Sequence, residues 1–133
     1  MLDLILCVDD DPITLMLCKK VIAKTSFSKT IMTAQNGEEA LFIFDKFIQS
    51  NVEKDEIPEL IFLDLNMPVM GGWEFLDSFN TDEYLSFHHI KVVVLSSTID
   101  PEDLEKAKKY PMVIDFLSKP ITINMLNYLT NKL

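Results

Sequence analysis

An α/β fold built on an open parallel sheet follows from three observations. Apolar runs of strand length alternate with helical patterns along the chain, the signature of βαβ units. Each run is rich in β-branched or aromatic residues, as strands buried on both faces are. Several runs also stop at a polar residue, as they do where strands reach one edge of such a sheet. The first strand, near 3–8, carries LILCV and ends at Asp9 and Asp10. The first helix, 12–24, opens on Asp11 as cap and Pro12 in its first turn, where a missing N–H costs nothing. A second strand is read near 29–34, and Asn36-Gly37 turns the chain into a helix over 37–49. QSNVEKDEIP, from Gln49 to Pro58, is polar and acidic and reads as a surface loop. The third strand, 59–64, carries LIFL and ends at Asp64; Gly71-Gly72 then lets the chain fold over into a helix at 72–79. The polar stretch from Asn80 to His89 reads as a link to the fourth strand, 90–95, whose VVVL is followed by Ser96. Asp100 and Pro101 repeat the cap-and-proline signal for a helix at 101–110. The last strand, 112–117, precedes Lys119, and a helix over 121–132 closes the pattern.

At 133 residues and 48% hydrophobic, the chain suits one compact domain spanning 1–133. A formal net charge of −9 argues against nucleic acid, whose phosphates call for a basic stripe, and against anionic membrane surfaces. No apolar stretch approaches the ~18–20 residues that span a bilayer. The N-terminus begins as an apolar strand with an early Asp3 and has no cationic leader, so a cytoplasmic location is expected. Cys7 and Cys18 fall at apolar positions of the first strand and helix and read as reduced, buried packing residues.

The polar strand ends carry the chemistry. In an open parallel sheet the carboxyl ends of the strands line one edge. Asp9, Asp10 and Asp64, the Ser96 hydroxyl and the Lys119 ammonium therefore meet in one small volume. Magnesium takes oxygen ligands from one or two carboxylates, waters and phosphate oxygens. Without a cation, packed carboxylates repel one another and their pKa values rise; a bound dication removes that penalty. Asp11 is assigned to capping. Asp64 is the expected nucleophile, because a carboxylate can attack phosphorus and split a transfer into two steps. Lys119 and Ser96 would each hold a phosphoryl oxygen, supplying the positioning and charge neutralisation this chemistry needs.

These segments, VDDDP (8–12), FLDLNMPVMGG (62–72), VVLSS (93–97) and FLSKP (116–120), resemble the receiver domain of bacterial two-component response regulators, in matching order over essentially the whole chain. The resemblance implies a doubly wound, flavodoxin-like, five-stranded parallel sheet in the order 2-1-3-4-5, flanked by five helices. It also implies Asp64 as phosphoacceptor, Asp10 as direct Mg2+ ligand, Asp9 acting on the metal largely through water, and Asn66 giving its backbone carbonyl. Ser96 matches the switch hydroxyl, Phe116 the aromatic switch and Lys119 the site lysine, with Lys119-Pro120 at a bond that is often cis in the family. The implied partners are a sensor histidine kinase or histidine phosphotransfer protein as donor, and a downstream protein target. Two residues depart from the family pattern. Asp115 stands where many receivers have a small residue, and Ser97 replaces the usual alanine.

On the first helix, an inward stripe of Leu17, Cys18, Val21 and Ile22 leaves Ile13, Leu15 and Met16 outward or lateral beside the site, a candidate donor-docking patch. Trp73, Met67 and Met70 read as packing at the rim of the site. His88-His89 has no further ligands nearby and does not read as a zinc site. An aspartyl phosphatase or phosphotransferase of the haloacid dehalogenase type needs a second Asp two residues after the first, where this chain has Asn66. A flavin carrier needs a phosphate-binding loop after the first strand, where the acidic triplet would repel it. The remaining alternative is a receiver-like interaction module that is never phosphorylated.

Overall fold

The computed structural model describes residues 1–50 and 52–133. Five strands form one parallel sheet: β1 (Leu2–Val8), β2 (Ser28–Ala34), β3 (Leu60–Asp64), β4 (Lys91–Ser96) and β5 (Val113–Ser118), in the order β2-β1-β3-β4-β5. Five α-helices connect them: α1 (Pro12–Thr25), α2 (Gly37–Gln49), α3 (Gly72–Phe79), α4 (Pro101–Ala107) and α5 (Ile123–Lys132). The expected fold class and strand order are both found.

Burial follows position in the sheet. All five residues of β3 are buried, and so are the last five of β1 and of β4, because these strands are covered on both faces. Edge strands β2 and β5 are only partly buried. Successive residues of each strand face opposite layers. Leu6, Val8, Ile61 and Leu63 join Phe44, Phe75 and Phe79 beneath α2 and α3. Ile5, Cys7, Leu60 and Phe62 join Cys18, Ile22 and Leu126 beneath α1 and α5.

Helix starts obey the capping signals. The Asp11 carboxylate accepts from the Ile13 N–H at 2.9 Å, Asn36 caps α2 through the Glu39 N–H at 2.9 Å, and Asp100 caps α4 through the Glu102 N–H at 2.9 Å. Ser26, in a left-handed conformation (φ 53°), ends α1.

Three expectations need correction. The link from Asn80 to His89 is not merely polar: it holds a 3-10 segment, Asp82–Phe87, that buries Tyr84 and Phe87 in the α2/α3 core. The Tyr84 hydroxyl reaches that core by donating to Asp45 at 2.6 Å. The loop before β3 is exposed over Glu53–Glu56 as expected and contains a 3-10 turn, Lys54–Glu56; its Asn51 lies outside the described residues. Helix α4 ends at Ala107 rather than 110, because Tyr110 and Met112 leave it to fill the core. On α1 the inward stripe is Leu15, Cys18 and Ile22. Leu15 is 9% exposed, whereas Leu17 is 43% exposed, so the two exchange the places expected of them. The reason is register: 15, 18 and 22 follow the i, i+3, i+7 spacing of one helix face, which 17 leaves by two positions.

Candidate functional site

The C-terminal edge of the sheet assembles the polar residues anticipated from the strand ends. Asp9 follows β1, and its N–H donates to the Ala34 carbonyl at 3.0 Å, extending the ladder to β2. Asp64 is the last residue of β3 and Ser96 the last of β4. Lys119 follows β5 and is tied to β4 by its N–H, which donates to the Ser96 carbonyl at 2.8 Å. The ladder thus sets these side chains in a row on adjacent strands. The Lys119-Pro120 peptide bond is cis.

Lys119 Nζ lies 2.5 Å from Asp9 Oδ2 and 3.3 Å from Asp64 Oδ1, so one ammonium bridges two carboxylates. The other Asp9 oxygen, Oδ1, accepts from the Asp11 N–H at 3.0 Å. Carboxylate oxygens of Asp9, Asp10 and Asp64 lie within 4.8 Å of one another. Asp9 and Asp64 are buried and Asp10 is exposed, so the cluster has a closed floor and an open side. Asp11 spends its oxygens on the Ile13 N–H and the Thr14 hydroxyl, which resolves which members of the acidic run face the site.

Burial, and next the charge of Asp9, push the Asp64 carboxyl above its usual range; Lys119 only partly offsets them. Burial works to lower the Lys119 ammonium, but its hydrogen bond and attraction to Asp9 reverse this and leave it above an ordinary lysine. The site therefore holds more negative charge than its single cation balances. Its donors are carboxylate oxygens with no sulfur or imidazole among them, the set a hard dication such as magnesium selects.

The floor is apolar. Cys7, Leu15, Cys18, Phe62 and Leu95 pack below Asp9 and Asp64 and leave a void of about 10 Å³. Both cysteines are free and buried, as expected of packing residues. Ser96 is buried, and its Oγ accepts from the Thr98 N–H at 3.4 Å. Asn66 is exposed on the loop after β3. Phe116, the residue paired with Val94, is half-buried and lines a groove of about 390 Å³ between α4 and β5, some way along the strand from the carboxylates. Ile13 and Met16 are exposed on α1, while Leu15 belongs to the floor of the site rather than to a docking surface.

The sequence underplayed the loop after Asp64. A Cβ on Gly72 would meet the Asp64 carbonyl oxygen at 2.5 Å, so α3 abuts the backbone of Asp64 itself. Gly37 N–H donates to the Met70 carbonyl at 2.8 Å, fixing the far end of this loop on α2. Between them Val69 sits at φ 68°, with the Met70 N–H donating to the Pro68 carbonyl at 2.8 Å across a three-residue turn. No sequence signal marked Val69, since β-branched residues avoid that region. Trp73 does more than pack at the rim: its indole N–H donates to Asp103 Oδ1 on α4 at 3.2 Å.

Comparison with known proteins bears on the family and the fold. The family model of the response regulator receiver domain matches residues 5–130. A two-component response regulator from Cytophaga hutchinsonii, solved by crystallography, is 33% identical, with a TM-score of 0.86 over 98% of this chain and 96% of that one. A protein-glutamate methylesterase/protein-glutamine glutaminase of Methanospirillum hungatei is 25% identical over 75% of the chain, which spans 25% of that protein. A probable C4-dicarboxylate response regulator of Halalkalibacterium halodurans is 25% identical over 92% of the chain, which spans 47% of its length.

Proposed function

This chain belongs to the response regulator receiver domain family, a signalling domain of two-component phosphorelays, and from that premise we propose that Asp64 is its phosphoacceptor, taking a phosphoryl group from a phosphohistidine donor with the help of Mg2+. One observation carries the reading: a single ammonium, Lys119, bridges buried Asp9 and Asp64 while Asp10 stands beside them facing solvent. Such an arrangement leaves a negative charge that a dication on the open side would balance.

An Asp64 carboxylate oxygen attacks phosphorus in line; the O–P bond forms as the P–N bond to the donor imidazole breaks, its electron pair stays on that nitrogen, and the ring, already protonated on its other nitrogen, departs as neutral imidazole. The reaction asks the protein for positioning and charge neutralisation more than for covalent activation. Asp9, Asp10, Asp64 and the Asn66 carbonyl would hold Mg2+, which when bound supplies Lewis-acid stabilisation of the phosphoryl oxygens. Lys119 moves its ammonium from the carboxylates to a phosphoryl oxygen, and the Ser96 hydroxyl donates to another.

The same contacts would bias the switch. Moving a two-state equilibrium from 1:99 to 99:1 needs about 5.5 kcal/mol of differential interaction. Hydrogen bonds to charged groups contribute about 1.5–3 kcal/mol each, so new bonds from Ser96 and Lys119 approach what is required. Ser96 drawn to the phosphoryl group leaves space that Phe116 fills, altering the surface of α4, β5 and α5 that a downstream protein reads. Ile13 and Met16 on α1, joined by Leu17, form the exposed apolar patch on which a histidine kinase or phosphotransfer protein would dock. The reading places the protein in the cytoplasm and treats 1–133 as one receiver domain; no described helix is long and apolar enough to cross a membrane.

The deciding experiment is incubation with magnesium and acetyl phosphate followed by intact mass. One added phosphoryl group, absent without magnesium and absent in Asp64→Asn, is expected. Failure of the unaltered chain to gain mass sinks the phosphoacceptor reading and leaves an unphosphorylated interaction module.

A further inference from the structure

Helix α4 is thinly anchored. It has seven residues, of which only Ala107 is buried, and a groove of about 390 Å³ separates part of it from β5. On its other side it meets Trp73. The indole N–H donates to Asp103 Oδ1 at 3.2 Å, Lys106 Nζ sits 5.2 Å from the indole ring, and the indole stacks on Tyr110 with centroids 5.6 Å apart and planes 17° apart. Tyr110 in turn donates its hydroxyl to Asp77 at 2.5 Å, returning the chain of contacts to α3. Burial, then the bond to Asp77, push the Tyr110 hydroxyl up to about 12, so this donor stays protonated at neutral pH.

The other end of the connection is the phosphoacceptor backbone. Trp73 follows Gly72, whose N–H donates to the Leu65 carbonyl at 2.9 Å and whose missing Cβ would lie 2.5 Å from the Asp64 carbonyl oxygen and 3.0 Å from the Leu65 Cα. Backbone packed on backbone too closely to admit a Cβ has no side-chain slack to absorb a displacement, because packed interiors are stiff and transmit strain. A shift of the Asp64–Leu65 peptide must therefore move the first turn of α3.

We infer that Trp73 is a strut that transmits displacement of the Asp64 backbone, through Gly72 and the first turn of α3, to α4, by a path separate from Ser96 and Phe116. Coupling of this kind requires an element with more than one arrangement, and α4 is the weakly held element that supplies it. Trp73 acts as a positioning residue and touches no reacting group. The phosphate-driven part of the inference rests on the phosphoacceptor reading above; the mechanical part does not.

The test is amide hydrogen exchange over residues 101–110 in the full chain. Trp73→Phe keeps a stacking ring and removes the N–H, and Asp103→Ala removes its acceptor from a half-exposed position. Both are expected to speed exchange in α4 by about tenfold or more while β1 and β3 keep native protection. Unchanged α4 exchange in both variants overturns the strut. Acetyl phosphate with magnesium is then expected to change α4 exchange in the unaltered protein but not in the two variants, which still gain the phosphoryl mass. An equal response in all three overturns the transmission. If the unaltered chain gains no mass, the phosphoacceptor reading is what fails. Transmission is then judged with Gly72→Ala as the displacement: it is upheld if this substitution changes α4 exchange alone but not beside Trp73→Phe, and overturned otherwise.

Discussion

At the scale of single residues, Asp64 is the group whose environment works against its own charge. Its folded pKa lies above the ordinary 3.8, chiefly through burial and then Asp9. A carboxyl that binds its proton more tightly when folded costs stability once it ionises. The penalty is absent below the unfolded pKa and grows as pH rises through the folded one. In magnesium-free buffer Asp64→Asn should therefore raise the thermal midpoint at pH 7 by a few degrees. The gain should shrink as the pH falls through the raised folded pKa and be gone below about 4, as followed by circular dichroism at several pH values. Val69 is a second local cost, a β-branched side chain held at φ 68° and 73% exposed. Left-handed backbone costs such a residue about 1–2 kcal/mol, so Val69→Asn should raise the urea midpoint by the equivalent of about 1 kcal/mol. Asp64 was legible because a carboxylate seldom sits at the end of a buried strand without a partner for its charge. Val69 was not, since its conformation is imposed by the two anchors of its loop on α2 and α3, which meet only in the folded chain.

At the scale of elements, the central strands announced themselves as unbroken apolar runs, and the caps located the helix starts. Faces were harder to read. Helix α1 carries apolar residues at 13, 15, 16, 17, 18, 21 and 22, too many to choose a stripe by pattern alone, and Leu15 and Leu17 were exchanged as a result. The segment Asp82–Phe87 was hidden by its polar neighbours, although Tyr84 and Phe87 complete the aromatic cluster around Phe44 and Phe79. Phe44 is fully buried and lies against Phe47, Phe79 and Phe87, so Phe44→Ala should cost about 3–5 kcal/mol in chemical denaturation. The edge strand β5 shows what Asp115 does. Its Oδ1 accepts from the Phe116 N–H at 2.8 Å and its Oδ2 from Lys132 Nζ at 3.0 Å, while Lys132 also donates to the Ile114 carbonyl at 3.1 Å. Edge groups that would otherwise stand open to another strand are thus occupied from within. Burial works to raise the Asp115 carboxyl, but hydrogen bonds from Tyr128 and Lys132 overcome it and hold the group below its ordinary 3.8. Stability from a lowered carboxyl is present above the unfolded pKa and is lost as pH falls through the folded one. The last turn of α5 should accordingly exchange its amides faster below about pH 4, and Asp115→Asn should remove that pH dependence.

At the scale of the whole molecule, the net charge of −9 gathers partly into the cluster of Asp9, Asp10 and Asp64. A ligand that binds only the folded state raises its stability as RT ln(1 + [L]/Kd), about 2.7 kcal/mol at a hundredfold excess over Kd. Magnesium should raise the thermal midpoint with the logarithm of its concentration, EDTA should reverse the rise, and Asp10→Asn, an exposed change that spares the fold, should flatten it. The sheet order was carried by resemblance, since strand length and spacing alone give no neighbours. That order sets β1 between β2 and β3. During synthesis Leu2–Val8 emerges before its second neighbour, and one flank of it stays bare until Leu60–Asp64 follows. For the time it takes to add some fifty residues, several seconds at translation speeds of about 5–20 residues per second, this apolar strand of the nascent chain waits half-zipped.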